Sequence, residues 1–207
     1  MLVTPLEIPH ALVVEPVIHR DPRGEFLEWF RADALAAASG RRFELLQANL
    51  SVSSQGAVRG IHFADVPPGQ AKYVTVVEGS AVDILVDLRV GSPTFGASVA
   101  VPLDAVSRHA VFVPEGLGHL LAITSERATV CYLTTDVFKP DREHTIHPFD
   151  AELALPIPAF DAPVLSDRDA AAPTLAEARA AGLLPSWDDC LARYAEQAAG
   201  PAAADRP

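Results

Sequence analysis

Two neighbouring segments carry side chains that can take part in acid–base chemistry. Residues 58–63 (VRGIHF) hold His62, and residues 71–76 (AKYVTV), beyond the turn at residues 67–69 (PPG), hold Lys72. Strand alternation predicts two inward faces: Val58, Gly60 and His62 on the first strand, and Lys72, Val74 and Val76 on the second. If the two strands pair as a hairpin, His62 and Lys72 point into one interior. A lysine inside a small β-barrel is costly unless a polar site surrounds it, so this interior is a candidate active site.

A second histidine follows a glycine-rich segment, residues 114–119 (PEGLGH), which we interpret as a turn that ends in His119. Together with residues 60–62 (GIH), this segment resembles the two half-motifs of cupin barrels. Metal-binding cupins carry a further histidine and then a glutamate, but this chain has Ala64 there and Lys72 close behind it. A transition metal needs several neutral or anionic ligands, and a lysine repels the cation. We therefore expect no metal, and an interior that is free for acid–base chemistry.

The composition excludes several classes of protein. The chain has 207 residues, of which 49% are hydrophobic, enough for one domain with a substantial core. Sixteen Lys and Arg against 27 Asp and Glu give a formal net charge of −11, which argues against binding to a phosphate backbone. Cys131 and Cys190 form neither a disulfide framework nor a CxxC pair. No apolar run reaches the roughly 18 to 20 residues of a membrane span, and the start lacks the features of a signal peptide. We expect a cytoplasmic protein that binds neither nucleic acid nor a membrane.

The elements that must position the candidate residues are mostly strands. Residues 44–132 consist largely of short β-rich runs separated by turn residues, a pattern typical of all-β sandwiches and barrels. Two of the predicted strands are residues 72–78 and 110–113. Gly79-Ser80 predicts a tight hairpin, and residues 67–69 predict a longer one. We therefore expect a mainly β fold, a cupin-like jelly-roll barrel, over residues 1–185.

Helices are predicted on either side of this β-rich region. The Ala-rich residues 33–39 are followed by Gly40, a common helix stop. Thr174–Glu177 forms a capping box for a short peripheral helix near the C-terminus. The final segment, residues 186–207, is expected to hold a helix to about Gln197 and then a disordered tail.

Several motifs together resemble the dTDP-4-dehydrorhamnose 3,5-epimerases, over about residues 10–185. The motifs are residues 21–24 (DPRG), 47–51 (QANLS), 59–63 (RGIHF), 67–72 (PPGQAK), 86–96 (VDLRVGSPTFG), 114–119 (PEGLGH) and 165–169 (LSDRD), with Tyr132, Asp136 and Glu143 between them. The Ala-rich style of the chain and residues 174–185 are most similar to epimerases of antibiotic deoxysugar pathways. The resemblance implies epimerisation at C3, C5 or both of dTDP-4-keto-6-deoxy-D-glucose, without a cofactor.

The chemistry of a 4-keto sugar explains which side chains such an enzyme needs. C3 and C5 both lie next to the carbonyl, so either can lose a proton while an enolate forms. The resemblance implies that His62 is the base and that Asp169 fixes its tautomer. It further implies that Lys72 stabilises the enolate oxygen and that Tyr132 returns a proton on the opposite face. Tyr132 shares a strand face with Val130, which is compatible with a hydroxyl inside the barrel.

A dTDP-sugar also carries a diphosphate, which calls for cationic partners in an otherwise acidic chain. The resemblance implies a substrate-binding set that contacts the phosphates, the sugar and the base: Arg23, Glu28, Gln47, Asn49, Arg59, His119, Phe138 and Glu143. The family commonly has tyrosine where this chain has Phe138. The missing hydroxyl leaves open whether C3, C5 or both are inverted.

Two further functions remain open at this point. A ketoisomerase acting on the same dTDP-sugar also uses histidines in the barrel but moves the carbonyl. A non-catalytic cupin that binds a sugar nucleotide would be expected to lose part of the catalytic set. The presence of His62, Asp169, Lys72 and Tyr132 together favours the epimerase. A metal-dependent cupin oxygenase fits least.

The resemblance also implies an oligomeric state. Members of the family are typically dimers in which the N-terminal strand of one chain joins the sheet of its neighbour. The apolar segment from Leu2 to Val17 is compatible with such an exchange, which would cover an open sheet edge. We therefore expect a homodimer.

Overall fold

The computed structural model describes residues 1–199. Within this range the chain forms thirteen strands: β1 (Leu2–Pro5), β2 (Leu12–Glu15), β3 (His19–Asp21), β4 (Gly24–Phe26), β5 (Gln47–Ser54), β6 (Val58–Ala64), β7 (Lys72–Glu78), β8 (Ser80–Asp87), β9 (Ser98–Asp104), β10 (Ala110–Val113), β11 (Leu117–Ile123), β12 (Arg127–Thr134) and β13 (Glu143–Thr145). The α-helices of this range are α1 (Ala32–Ser39), α2 (Asp167–Ala170), α3 (Leu175–Ala180) and α4 (Trp187–Ala199). None of these helices is long and apolar enough to cross a membrane.

The strands form two antiparallel sheets that pack face to face. The six-stranded sheet has the order β1-β2-β10-β7-β12-β5, and the five-stranded sheet has the order β13-β6-β11-β8-β9. Strands β3 and β4 form a separate hairpin. Alternate apolar residues of both sheets meet in one core, including Val74 and Val130 from the first sheet and Leu85 and Leu121 from the second. This is the jelly-roll arrangement expected from the many short strands.

The two predicted hairpins are wrong, because their strands lie in different sheets. Strand β6 belongs to the five-stranded sheet and β7 to the six-stranded sheet, so residues 67–69 connect the sheets. Gly79 likewise connects β7 in the six-stranded sheet to β8 in the five-stranded sheet. Its φ is 76°, and a Cβ there would collide with the carbonyl of Arg127. Turn chemistry predicts only that the chain reverses. The pairing partner is decided by distant contacts.

The predicted alternation along β6 is also wrong, because the strand contains a bulge. Arg59 pairs with Leu121 and His62 pairs with His119, so residues 60 and 61 both lie opposite Leu120. The extra residue shifts the alternation by one position. As a result, Arg59 and His62 share the interior face of the barrel, and a second core on the outer side of this sheet takes up the apolar residues Val58, Ile61 and Phe63.

The segment that we interpreted as a turn ending in His119 is shorter than expected. Strand β11 already begins at Leu117, and the turn itself is centred on Gly116, whose φ is 86°. His119 therefore lies within a strand and not at its edge. The glycines of the motif concealed the strand because glycine weakens strand propensity.

The helices agree with their capping signals. Gly40 ends α1 in the left-handed conformation, and the capping box of Thr174 and Glu177 is present at α3. The single turn of α2, capped by the side chain of Ser166, was not predicted. Helix α4 continues to Ala199, two residues beyond the predicted end at Gln197. The part of the predicted disordered tail from residue 200 onwards lies outside the described residues.

Helix α4 packs against the barrel through buried polar groups. The hydroxyl of Tyr194 donates a hydrogen bond to the carbonyl of Glu115, and Gln197 donates to the Glu115 carboxylate. Arg41, from the segment after α1, lies 3.3 Å from the other carboxylate oxygen, with its guanidinium 3.9 Å from the centre of the Tyr194 ring. Both Arg41 and Glu115 are buried. The C-terminal helix thus closes over a charged pair. The boundary predicted at residue 185 lies just before this helix.

Candidate active site

A cavity of about 230 Å³ opens between the two sheets. The six-stranded sheet lines it with polar residues: Gln47, Asn49, Ser51, Lys72, Tyr132 and Thr134. The opposite wall is formed by Arg59, His62 and His119, and Glu143 and Arg168 border it. Along β5 the usual pattern is inverted, since the polar side chains face the cavity while the apolar ones face outwards. A strand of this kind belongs to a binding cavity and not to an apolar core.

His62 and Asp169 form a close pair. The bulge of β6 directs His62 into the cavity, where its Nε2 lies 2.7 Å from Oδ1 of Asp169 on α2. Burial favours the neutral form of Asp169, but the hydrogen bonds from His62 and from the backbone N–H of Gly60 outweigh it, so the pKa of Asp169 lies below its ordinary value. An ionised carboxylate accepts the Nε2–H of His62, and this leaves the lone pair of Nδ1 free to take a proton.

Lys72 extends into the cavity from β7, on the wall opposite His62. Its side chain is almost fully buried, at 8% exposure. Burial lowers the pKa of the ammonium group below its ordinary value, although the carboxylates of Glu143, Asp83 and Glu115 act against this shift. A partly desolvated cation of this kind interacts strongly with negative charge that develops on a bound substrate.

Tyr132 lies on β12, next to β7, where its cross-strand partner is Val74. It is partly buried and faces the cavity from the same wall as Lys72. Burial raises the pKa of the hydroxyl, while the positive charge of Arg59 opposes the shift. The phenol is therefore protonated at neutral pH and can act as a proton donor. His62 and Tyr132 reach the cavity from opposite sheets, so they meet opposite faces of a ligand between them.

Six predicted substrate-binding residues also line the cavity: Gln47, Asn49, Arg59, His119, Phe138 and Glu143. The side-chain amide of Gln47 donates to Asn49 over 2.7 Å, and the Oε1 atom of Gln47 accepts the backbone N–H of Phe138 over 3.0 Å. Arg59 is held by the hydroxyl of Ser53 at 2.9 Å. The ring of Phe138 is half exposed. These contacts give the polar wall a fixed arrangement.

Arg23 and Glu28 are not brought to the cavity of their own chain. Arg23 lies in the turn between β3 and β4, with its side chain 90% exposed and paired with Asp21 at 2.6 Å. Glu28 follows this hairpin and lies 3.7 Å from Arg31 on the surface. In a single chain, neither side chain forms part of the cavity wall.

The structure adds cavity residues that were not among the predicted site residues. Gln70 donates to the carboxylate of Glu143 at 3.4 Å, and Arg168 borders the cavity next to Asp169. Asp83 on β8 lies behind His119 and is fully buried. One sequence signal could have revealed it, because Asp83 interrupts the otherwise apolar run of residues 81–86.

Comparison with known proteins decides the family. The family model described as dTDP-4-dehydrorhamnose 3,5-epimerase matches residues 5–177. The chain belongs to this family. It is accordingly an isomerase, and the predicted cupin-like fold is confirmed, as is the resemblance inferred from the sequence motifs.

Three solved structures illustrate how closely the family members agree. A 4-keto-6-deoxy sugar epimerase from the novobiocin biosynthetic gene cluster of Streptomyces spheroides is 53% identical, with a TM-score of 0.89 over 92% of this chain and 95% of that one. The RmlC epimerase of Mycobacterium tuberculosis is 46% identical, with a TM-score of 0.93 over 95% and 100% of the two chains. A 3′-monoepimerase of Streptomyces bikiniensis, in complex with dTDP-quinovose, is 44% identical, with a TM-score of 0.91 over 94% and 98%.

Proposed function

We propose that this epimerase acts on dTDP-4-keto-6-deoxy-D-glucose and inverts C3, C5 or both, in a pathway to a deoxysugar of the antibiotic or rhamnose type. One observation carries the proposal: the His62–Asp169 pair faces Lys72 and Tyr132 across a single cavity. The relative from S. bikiniensis binds a dTDP-sugar, which supports a ligand of this class.

The first step of the proposed mechanism is removal of a ring proton. Nδ1 of His62 takes the proton from the carbon next to the carbonyl, and the electron pair of the C–H bond forms the enolate. The resulting imidazolium is stabilised by the ionised Asp169. The negative charge that develops on the enolate oxygen is offset by the ammonium of Lys72, which lies on the opposite wall. These residues require no metal and no redox cofactor for this step.

Inversion follows when the proton returns from the other side. Tyr132 delivers its phenolic proton to the face of the enolate that is turned away from His62, and the carbonyl re-forms. The phenolate then regains a proton from water, while His62 releases the one it took. Each inverted carbon thus acquires a hydrogen from solvent. The remaining polar wall binds the rest of the ligand, with Arg59 and Arg168 as cations for the diphosphate.

The test is the uptake of solvent deuterium. In D₂O with dTDP-4-keto-6-deoxyglucose, NMR and mass spectrometry should detect deuterium at C3, at C5 or at both, and the position identifies the inverted carbon. His62→Asn should abolish the uptake. A matched control is His144→Asn, because His144 forms a similar pair with Asp65 at 2.6 Å outside the cavity and should be dispensable. Binding without exchange would indicate a non-catalytic cupin, and a carbonyl that moves to C3 would indicate the ketoisomerase.

We further propose that the protein is a homodimer. Strand β5 forms one edge of its sheet, and its outward face exposes Leu50 by 64% and Val52 by 45%. Apolar side chains on a free edge strand are usually covered by a partner. A dimer also explains Arg23, whose exposed hairpin can contribute to a cavity only if that cavity belongs to a second copy. In the described residues β1 pairs with β2 of its own chain, so the predicted exchange of the N-terminal strand stays a prediction.

Mixing two inactive variants tests whether each active site is built from residues of both chains of the dimer. If Arg23 serves the cavity of the partner, Arg23→Ala and His62→Asn should each be inactive alone. A dimer with one chain of each variant then contains one complete site. Random reassociation should restore about a quarter of the wild-type activity, since half the dimers are mixed. Light scattering should give twice the mass of the chain. A monomeric mass, or no recovery on mixing, would contradict the proposal.

We also propose that the protein is cytoplasmic, because of the state of its two cysteine thiols. Cys131 and Cys190 are both free, and Cys190 is a buried residue of α4. Unpaired cysteines are typical of proteins in a reducing compartment.

A further inference from the structure

A second imidazole–carboxylate pair lies beside the first. Nε2 of His119 is 2.9 Å from Oδ2 of Asp83, which is the same arrangement as in the pair formed by His62 and Asp169. His119 and His62 are direct cross-strand partners on β11 and β6, and both line the cavity. Side chains in such positions have Cβ atoms about 5 Å apart. The two histidines therefore meet neighbouring parts of the same ligand.

Asp83 is placed where burial makes a carboxylate costly for stability. It is fully buried and belongs to the interior face of β8, next to Ala81 and Leu85 of the apolar core. Its Oδ1 is buried without a hydrogen-bond partner among residues 1–199. A buried carboxylate that is only partly hydrogen-bonded destabilises the fold. The charge of Asp83 helps to offset the buried ammonium of Lys72, and its hydrogen-bond partner is His119. Both residues line the cavity, so the carboxylate serves the cavity.

We propose that Asp83 is a positioning residue that fixes the tautomer of His119, so that His119 accepts a hydrogen bond from a hydroxyl group of the hexose. The inference depends on the function proposed above. Asp83, as a carboxylate, accepts the Nε2–H of His119, and a neutral imidazole then presents the lone pair of Nδ1 to the cavity. A lone pair cannot bind a phosphate oxygen, which is also an acceptor. It can bind a hydroxyl, which donates.

The position of His119 agrees with this ligand. His62 must reach a ring carbon next to the carbonyl, and its cross-strand neighbour therefore meets the hexose and not the nucleotide base. His119 is also the more enclosed of the two imidazoles, with 12% side-chain exposure against 31% for His62. A hydrogen bond in such an enclosed place distinguishes strongly between a ligand that has the hydroxyl and one that lacks it.

The tautomer can be measured directly in the wild-type protein. ¹⁵N NMR of the histidine rings at pH 7.5 should show His119 with its proton on Nε2 and a bare Nδ1. In Asp83→Asn the amide can donate to Nε2, so the proton should move to Nδ1 and the two ¹⁵N shifts should exchange. A wild-type His119 that is doubly protonated, or that carries its proton on Nδ1, would overturn the proposal without the use of any variant.

The ligand class is tested by binding. Asp83→Asn should weaken the binding of dTDP-quinovose about tenfold, because a donor then faces the hydroxyl, but should leave the binding of dTDP unchanged. Asp65→Asn, at the pair with His144 outside the cavity, is the matched control and should change neither. An equal loss for both ligands would place His119 at the diphosphate and refute the assignment to the hexose. Wild-type protein without affinity for either ligand would overturn the proposed function, while the NMR result would still decide the tautomer.

Discussion

Tyr132 is the residue that separates proton exchange from inversion in the proposed mechanism. In Tyr132→Phe, His62 can still remove the ring proton and return a solvent hydrogen from its own side. We expect deuterium to enter the substrate with retained configuration, while inversion slows by about 10²- to 10⁴-fold, the usual contribution of a general acid. NMR of the recovered sugar distinguishes the two outcomes. Unchanged inversion would assign the acid role to another group.

Lys72 sets the alkaline limit of the activity. Because burial lowers the pKa of its ammonium, this group loses its proton at a pH below the ordinary value of 10.5. The phenol of Tyr132 has a raised pKa and is still protonated there. Turnover should therefore decrease as the pH rises through the lowered pKa of Lys72. Lys72→Arg should remove this alkaline decrease, since a guanidinium stays charged. A pH–rate profile that is identical for the two proteins would contradict the role of Lys72.

At the scale of the elements, the wall of the cavity depends on the bulge in β6. Gly60 has a φ of 122°, and a Cβ there would collide with the carbonyl of His119. We expect Gly60→Ala to destabilise the protein by about 2 kcal/mol or more and to reduce activity sharply, because Arg59 and His62 would lose their common face. Urea unfolding and deuterium exchange measure the two effects.

A matched control for the bulge is Gly96→Ala. Gly96 also has a positive φ, 79°, but a Cβ there has no heavy atom within 4 Å. Its replacement should cost only about 1 to 2 kcal/mol of conformational strain and leave the activity intact. If the two variants lost equal activity, the close approach at Gly60 would not be the cause.

The elements also show what the sequence could and could not predict. Strands β7 and β10 begin and end as predicted, because each is a compact β-rich run with clear breaks. Strand alternation singled out His62 and Lys72, and the family resemblance added Tyr132; the structure brings all three to one cavity. The bulge in β6 and the crossing at residues 67–69 could not be predicted, since register and sheet membership depend on distant strands. For the same reason the sequence did not show that Arg23 lies far from the cavity of its own chain.

For the whole molecule, the charged pair beneath α4 connects the C-terminus to the barrel. Glu115→Ala would leave Arg41 buried without its carboxylate, and the loss of one partner from a buried pair typically costs about 3 to 5 kcal/mol. We expect a large decrease in the free energy of unfolding, measured with urea. The double variant Arg41→Met/Glu115→Ala should recover part of it. A double variant no more stable than the single one would show that α4 and the barrel are joined mainly by other contacts.

The proposed base and the proposed acid belong to different sheets, and this has a consequence for stereochemistry. The distance between His62 and Tyr132 is not set by any bond or turn, but by the thickness of the apolar layer that holds the sheets apart, which includes Val76, Leu85 and Ala128. The core residues thus set the distance between the proposed base and the proposed acid. A methyl group more or less in this layer changes how far the planar intermediate lies from each proton source. The ratio of inverted product to substrate that regains its original configuration therefore depends on the volume of side chains in the interior. Selection for a single product consequently also acts on residues that never touch the sugar.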